Sequence, residues 1–143
     1  MTLVLEPEQL EQIRAHARST YPEECIGILG GTFTGEGSAM VKTVAEVRCF
    51  PNARADSRHN RSEIAPIEIL KLDREYRKRK LTMVAFYHSH PDHPCRPSEF
   101  DRQHAMPFHS YVIVKIDQGE PVDVTSWTLQ EDGGGFDSEP IQI

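Results

Sequence analysis

The residue types best suited to chemistry lie between His88 and Asp101. His88 and His90 follow an apolar run, Thr82 to Tyr87, whose composition predicts a buried strand. Residues two apart in a strand point to the same side, so their imidazole nitrogens can converge on one ion. Ten residues, three of them prolines, separate His90 from Asp101, which can return a carboxylate to the same place. Two histidines and one carboxylate leave a coordination position open, which is the pattern of a catalytic zinc site.

A second interpretation competes for the same carboxylate. Ser98 is a suitable first residue for a helix, and Ser98-x-x-Asp101 fits a capping box, in which the acid turns back to the helix backbone. A histidine pair two residues apart is weak evidence for a metal when taken alone. The spacing therefore leaves two hypotheses for Asp101, a metal ligand and a helix cap.

The rest of the chain must supply the elements that hold this segment. We predict helices over residues 7–19, from Pro66 and from Ser98, and we interpret Gly30-Gly31 as a turn and residues 51–63 as an exposed loop. The predicted strands cover 25–29, 40–50, 82–87, 111–116 and 122–129, with 140–143 as an edge strand. Mixed strands and helices predict an α/β (α+β) fold with one central sheet flanked by helices.

Size and charge restrict the class of protein. A chain of 143 residues fits one domain, residues 1–143, and the net charge of -6 disfavours binding to nucleic acid or to an anionic membrane. Three cysteines are too few and odd in number for a disulfide framework, which favours the reducing cytoplasm. We also expect no signal peptide and no membrane-spanning segment. Nothing in the sequence indicates an oligomeric state.

These motifs resemble those of the JAMM, or MPN-plus, metalloproteases. His88-Ser89-His90-Pro91 is followed, after seven residues from His90, by Ser98 and then Asp101, and Glu24-Cys25-Ile26-Gly27 matches the family's upstream Glu-x-x-Gly element. The resemblance covers most of the chain and is closest to a small stand-alone bacterial branch. It implies the JAMM/MPN architecture, which is cytidine-deaminase-like.

The resemblance also implies a role for each matching residue. It assigns the ligands of one zinc ion to three residues: His88, His90 and Asp101. Glu24 resembles the general base, and its neighbour Glu23 is the alternative, although the spacing to Gly27 favours Glu24. Ser98 resembles the residue that hydrogen-bonds the oxyanion.

The activity implied is hydrolysis of an amide at the C-terminal tail of a ubiquitin-like or sulfur-carrier protein. The bacterial branch includes a hydrolase that frees cysteine from the C-terminus of such a carrier. A non-catalytic MPN-type scaffold is the alternative from another class, although such scaffolds usually lose ligands. A repair-associated relative with a similar His-x-His-Pro motif is a third alternative.

Several nearby residues fall outside this assignment. Ser62 stands where many relatives have an aromatic residue, which puts substrate contacts there in doubt. We interpret His93 and Cys95 as a solvent-facing loop pair, the alternative being an inhibitory or redox-sensitive ligand. A second metal site formed by Cys95, His104 and His109 is the less favoured alternative.

Overall fold

Eight strands and three α-helices alternate along residues 1–143, all of which the computed structural model describes. The helices are α1 (Pro7–Thr20), α2 (Pro66–Lys78) and α3 (Glu99–His104), with a short 3-10 turn at Gly37–Ala39. The strands are β1 (Thr2–Val4), β2 (Ile26–Thr34), β3 (Val41–Phe50), β4 (Thr82–Pro91), β5 (Ser110–Asp117), β6 (Glu120–Leu129), β7 (Phe136–Glu139) and β8 (Ile141–Gln142).

All eight strands form one mixed sheet in the order β7-β6-β5-β4-β2-β3-β1-β8. Strand β4 runs parallel to β5, and β1 runs parallel to both β3 and β8, whereas the other neighbours are antiparallel. The predicted α/β (α+β) class, with one central mixed sheet and flanking helices, is confirmed. None of the helices combines the length and the apolar character needed to cross a membrane.

The two faces of the sheet carry different helices. Helix α1 buries the stripe Leu10, Ile13 and Ala17 against one face, as its spacing predicts. Helix α2 buries Leu72 and Tyr76 against the other face. We call these the α1 face and the α2 face. Because side chains alternate along each strand, every residue of β4 faces one helix or the other.

The interpretation of Gly30-Gly31 as a turn is wrong, because β2 continues through both residues to Thr34. A Cβ on Gly30 would lie 2.4 Å from the Tyr76 ring, and one on Gly31 would lie 2.0 Å from the Thr43 carbonyl oxygen. These glycines therefore allow a close approach within the sheet rather than a reversal of the chain. Irregular register on both sides of Gly30 accommodates them.

The sheet curls until its two ends meet. Strands β7 and β8 lie at opposite ends of the strand order, yet Pro140 alone separates them in the chain. Lys42 of β3 accordingly reaches Glu139 of β7 with an ion pair of 2.9 Å. Strands β1 and β7 were not predicted from the sequence.

Candidate metal centre

Strand β4 presents His88 and His90 on the α2 face, where α3 brings Asp101 against them. The Nε2 atoms of the two histidines are 3.0 Å apart. Asp101 Oδ1 lies 3.2 Å from His88 Nε2, and Oδ2 lies 3.2 Å from His90 Nε2. Both histidines are buried, with 8% and 2% exposure. Three potential ligand atoms thus converge on one point.

This arrangement fits a zinc ion. Zinc bound tetrahedrally with bonds of about 2.0–2.1 Å requires ligand atoms about 3.3 Å apart. The separations of 3.0 to 3.2 Å are close to that value. The cluster also holds the nitrogen and oxygen donors that zinc prefers. His88, His90 and Asp101 could therefore hold one divalent metal ion.

Asp101 performs both of the functions that the sequence sets in competition. Its Oδ2 accepts a hydrogen bond from the Ser98 backbone N–H at 2.8 Å, and Ser98 Oγ accepts one from the Asp101 N–H at 3.1 Å. A carboxylate has lone pairs for more than one partner, so the capping box leaves Asp101 available to the histidines. Burial acts to raise the pKa of Asp101, but the neighbouring His88 and the hydrogen bond from the Ser98 N–H hold it well below its usual range.

Hydrogen bonding outside the cluster orients His90. Its Nδ1 lies 2.7 Å from the Pro94 carbonyl oxygen, which can only accept, so Nδ1 carries the proton and Nε2 presents its lone pair. The His93 ring stacks on His90 with centroids 4.2 Å apart. His93 is half-buried, so its interpretation as solvent-facing is wrong.

Glu24 lies beside the cluster at the start of β2. Strand β2 pairs Ile26 with His88, and continuing this antiparallel register by two residues sets Glu24 opposite His90. Glu24 is only 3% exposed. Burial raises the pKa of Glu24, although the two histidines and a hydrogen bond from Ser62 oppose the shift. Glu23 instead points outward, with a side chain 47% exposed and 3.9 Å from Arg58.

Ser62 is a contact of this site that sequence reasoning missed. Its Oγ donates a hydrogen bond of 2.8 Å to Glu24 Oε1, across 38 residues of chain. Such a separation leaves no local spacing from which to predict the contact. Ser62 thus holds Glu24.

The loop over residues 51–65 is ordered around Asn52 rather than free. Asn52 Nδ2 donates to the Arg61 carbonyl at 2.9 Å, and its Oδ1 accepts from the Arg54 N–H at 3.1 Å. The Glu24 N–H also donates to the Arg58 carbonyl at 2.7 Å. Most of the loop is exposed, as predicted, but its backbone is tied to Glu24.

Ser98 and Ser89 occupy very different surroundings. Ser98 is exposed at the start of α3, where its Oγ accepts one hydrogen bond and keeps its own proton available. Ser89 is 0% exposed on the α1 face, and its Oγ accepts from the Cys25 N–H at 2.8 Å. Ser89 therefore joins β4 to the residue preceding β2.

Cys95, His104 and His109 lie apart from the three ligands. The Cys95 thiol is half-buried and 3.2 Å from both the Ile113 carbonyl and Thr125 Oγ1, so its interpretation as solvent-facing is wrong. His104 Nδ1 contacts the Phe100 carbonyl, and His109 Nδ1 contacts that of Pro107. The three-donor cluster with metal-ligand geometry is His88, His90 and Asp101.

A cavity of about 420 Å³ opens from the cluster along the α2 face. His88 and Asp101 line one part of it. Its remaining walls are largely apolar and include Ile69 from α2, Phe86 from β4 and Tyr111 from β5. The site therefore joins metal-binding donors to a largely apolar cavity.

Comparison with known proteins identifies the family. Residues 6–130 match the family described as prokaryotic homologs of the JAB domain, and the chain belongs to this Prok-JAB family. A curated relative from Thermus thermophilus, named "Probable TtuB-protein conjugate cleaving protease", is 31% identical over 108 residues. The match covers 76% of this chain and 66% of that protein.

Solved structures share the fold. A protein of Desulfitobacterium hafniense superposes with a TM-score of 0.80 and 31% identity, covering 99% of this chain and 91% of that one. A protein of Salinibacter ruber gives 0.72 and 37%, with 99% and 90% covered. A JAB1/MPN domain protein of Archaeoglobus fulgidus gives 0.56 and 19% over the full length of both chains, which supports the fold alone. The resemblance predicted from the motifs is confirmed at the level of family and fold.

Proposed function

We propose that this protein is a zinc-dependent peptidase or isopeptidase that hydrolyses an amide at the C-terminal tail of a ubiquitin-like or sulfur-carrier protein. The observation that carries the proposal is the convergence of His88, His90 and Asp101 beside the buried carboxylate of Glu24. Residues 1–143 act as a single domain in this proposal. The three free cysteines suit a reducing cytoplasm.

The proposed chemistry assigns the proton transfers to Glu24. A zinc ion bound by the three donors would supply Lewis acidity, which lowers the pKa of water and polarises the scissile carbonyl. Glu24 takes a proton from the attacking water as the C–O bond forms, and gives it to the leaving nitrogen as the C–N bond breaks. Burial of Glu24 favours its uptake of a proton, because desolvation destabilises the charged carboxylate.

Ser98 and Ser62 support that transfer from two sides. Ser98 Oγ is exposed and retains a proton to donate to the oxyanion that develops on the carbonyl oxygen. Ser62 holds one oxygen of Glu24, which restricts the carboxylate to one orientation. The other Glu24 oxygen is then available for the transferred proton.

Exposed apolar side chains on α2 and after α3, of which Met106 also lines the cavity, suit contact with a protein substrate. Ile67 and Leu70 on α2 are 54% and 46% exposed, and Met106 and Phe108 after α3 are 47% and 51% exposed. An extended apolar tail can occupy the cavity while the body of a carrier contacts these side chains. The named activity of the Thermus thermophilus relative supports the same class of substrate.

The alternative hypothesis, a non-catalytic scaffold, predicts different properties for the purified protein. A scaffold has no need for three convergent donors or for a buried base. It should purify without near-stoichiometric zinc and should cleave nothing. Metal analysis of the purified protein therefore separates the two hypotheses before any substrate is tried.

The decisive experiment is cleavage of carrier–cysteine and carrier–peptide adducts, followed by intact mass. Zinc-loaded protein should release the adduct, a chelator should stop release, and added zinc should restore it. Glu24→Gln should lower the rate by at least about a hundredfold while retaining zinc, because it removes only the base. Full activity in Glu24→Gln, or no metal-dependent cleavage of any adduct, contradicts the proposal.

A further inference from the structure

The loop over residues 51–65 carries three arginines in a protein of net charge -6. Two of them already face carboxylates. Arg54 Nη2 lies 2.9 Å from Asp56, and Arg58 Nη1 lies 3.9 Å from Glu23. Arg61 differs, since no carboxylate lies within 4 Å of its exposed guanidinium and no hydrogen bond holds it. Its charge is therefore free to bind an anion.

An aromatic ring nevertheless keeps Arg61 in a defined place. The guanidinium carbon lies 4.8 Å from the centroid of the Phe100 ring, within the range of a cation–π contact. Phe100 immediately precedes Asp101, and Arg61 immediately precedes Ser62. The contact thus joins the residue next to a metal ligand to the residue next to the Glu24 partner.

The direction of proton transfer relates Arg61 to one part of the substrate. In the proposed function, Glu24 delivers a proton to the leaving nitrogen, so the leaving group lies on the Glu24 side of the scissile bond. Arg61 adjoins Ser62, which contacts Glu24, and its guanidinium lies on Phe100, which lines the cavity together with Ser62. In an amino acid joined through its α-nitrogen, the carboxylate carbon is only two bonds from that nitrogen. A free carboxylate there is the anion that a guanidinium binds best.

We propose that Arg61, held on the Phe100 ring, binds the α-carboxylate of the residue that is released. This inference rests on the proposed function and makes it more specific. The enzyme then prefers a carrier whose C-terminus bears one amino acid with a free carboxylate. An isopeptide-linked protein offers no carboxylate at that distance from the leaving nitrogen.

Paired substrates test this preference directly. One adduct joins cysteine to the carrier's C-terminal glycine with a free α-carboxylate, and the other carries the same residue as its carboxamide. Wild-type protein should prefer the carboxylate by about tenfold in kcat/KM, mainly through KM, as one charge-assisted contact at an exposed rim allows. Arg61→Gln should cleave both adducts at similar rates, and Arg61→Lys should retain part of the preference.

Two matched variants control for the loss of charge. Arg14→Gln removes a positive charge from α1, on the α1 face, and should keep the full preference. Arg96→Gln removes the exposed arginine of the metal-binding segment, which makes no hydrogen bond or ion pair, and should also keep it. Loss of the preference in Arg96→Gln but not in Arg61→Gln assigns the carboxylate to Arg96 and overturns the proposal.

A binding measurement separates this inference from the proposed function. Calorimetry with zinc-loaded Glu24→Gln compares the affinity for the two adducts without cleavage. Tighter binding of the carboxylate adduct that depends on Arg61, in a protein whose wild type cleaves neither adduct, overturns the hydrolase and retains the carboxylate site. Equal affinity for the two adducts, or a preference unchanged by Arg61→Gln, overturns the role of Arg61.

Discussion

Two clusters of buried polar side chains occupy opposite faces of the same sheet. The ion-pair cluster on the α1 face consists of Lys42, Ser110, Ser126 and Glu139. The metal-ligand cluster on the α2 face consists of His88, His90 and Asp101. Every member of both clusters is buried except Asp101, which is half-buried. They differ in whether their members satisfy one another.

The ion-pair cluster is complete. Lys42 Nζ donates to Ser110 Oγ at 2.8 Å and to Glu139 Oε2 at 2.9 Å, and Ser126 donates to Glu139 Oε1 at 2.8 Å. One positive and one negative charge cancel. Burial of such a pair is tolerable because every charge has a partner. The cluster joins strands that are distant in the sheet, which is a structural role.

In the metal-ligand cluster, by contrast, the members do not satisfy one another's hydrogen-bonding groups. Two histidine Nε2 atoms face each other at 3.0 Å, and both also face one carboxylate. A cation shared between these nitrogen lone pairs would complete the cluster. The two clusters therefore differ less in burial than in whether the hydrogen-bonding groups of their members are satisfied within the cluster.

The largest effect should follow from removing one converging donor. His88→Ala should lose most of its bound zinc and at least about a thousandfold in cleavage rate, since metal assistance contributes several kcal/mol. Plasma mass spectrometry of the purified protein gives the zinc content, and intact mass gives the rate. His59→Ala, which changes an exposed loop histidine, should alter neither. Retained zinc and activity in His88→Ala would contradict the assignment.

Substitutions in the ion-pair cluster should change the free energy of unfolding. Lys42→Met leaves Glu139 buried without a counter-charge, and should lower the free energy of unfolding by about 3–5 kcal/mol in urea denaturation. Lys42→Met combined with Glu139→Leu should cost much less, because neither charge remains. Additive losses would show that the pair is not coupled.

A surface ion pair provides the control. Arg77 is paired with Asp73 but has a side chain 79% exposed. Arg77→Met should change the unfolding free energy by less than about 1 kcal/mol, as expected for solvent-screened charges. A loss equal to that of Lys42→Met would imply that burial does not determine the cost.

Ser62→Ala should have a smaller effect, confined to catalysis. Loss of its hydrogen bond leaves Glu24 less restrained, and should lower kcat by about tenfold with little change in zinc content. Steady-state cleavage separates kcat from KM. Ser19→Ala, which removes a hydroxyl bonded to the His16 carbonyl, should leave kcat unchanged. A fall confined to KM would assign Ser62 to substrate binding instead.

Thiol modification should have the smallest effect and tests the closure of the α1 face. Burial raises the pKa of Cys25 to about 12, so little thiolate is present near neutrality. Cys49 is exposed and should react first with iodoacetamide, giving one early adduct and no loss of cleavage. Peptide mapping identifies the modified residue. Rapid modification of Cys25 in folded protein would show that this face opens.

Much of the fold could be predicted because the periodicity of apolar residues indicates where helices and strands lie. The stripe of α1 implies one buried side, and that prediction is confirmed. Alternation correctly predicts that β3 is a strand but indicates the wrong side of it, because Lys42 and Val44 are buried whereas Thr43, Ala45 and Cys49 are exposed. The Gly30-Gly31 turn was wrong because glycine is required equally by a chain reversal and by a close neighbour such as Tyr76. Strand β7 escaped prediction because Phe136–Glu139 has a single large apolar residue.

The candidate site, like the fold, could be predicted only in part from the sequence. Spacing along one strand and one helix start identifies the members that converge, because those relations are local. Spacing does not reveal that one carboxylate serves both the helix cap and the histidines. This double role depends on the orientation of the side chain, which turns Oδ1 toward His88 and Oδ2 toward the Ser98 N–H. The contact of Ser62 with Glu24 depends on the path of a long loop, for which the sequence holds no periodic signal.

The single residue that joins β7 to β8 has a consequence for association between molecules. Strand edges with unpaired backbone groups act as templates for other chains. Here the terminal strands of the sheet have only four and two residues, and Pro140 keeps them side by side. The terminal strands themselves therefore offer few backbone groups with which a second copy could pair.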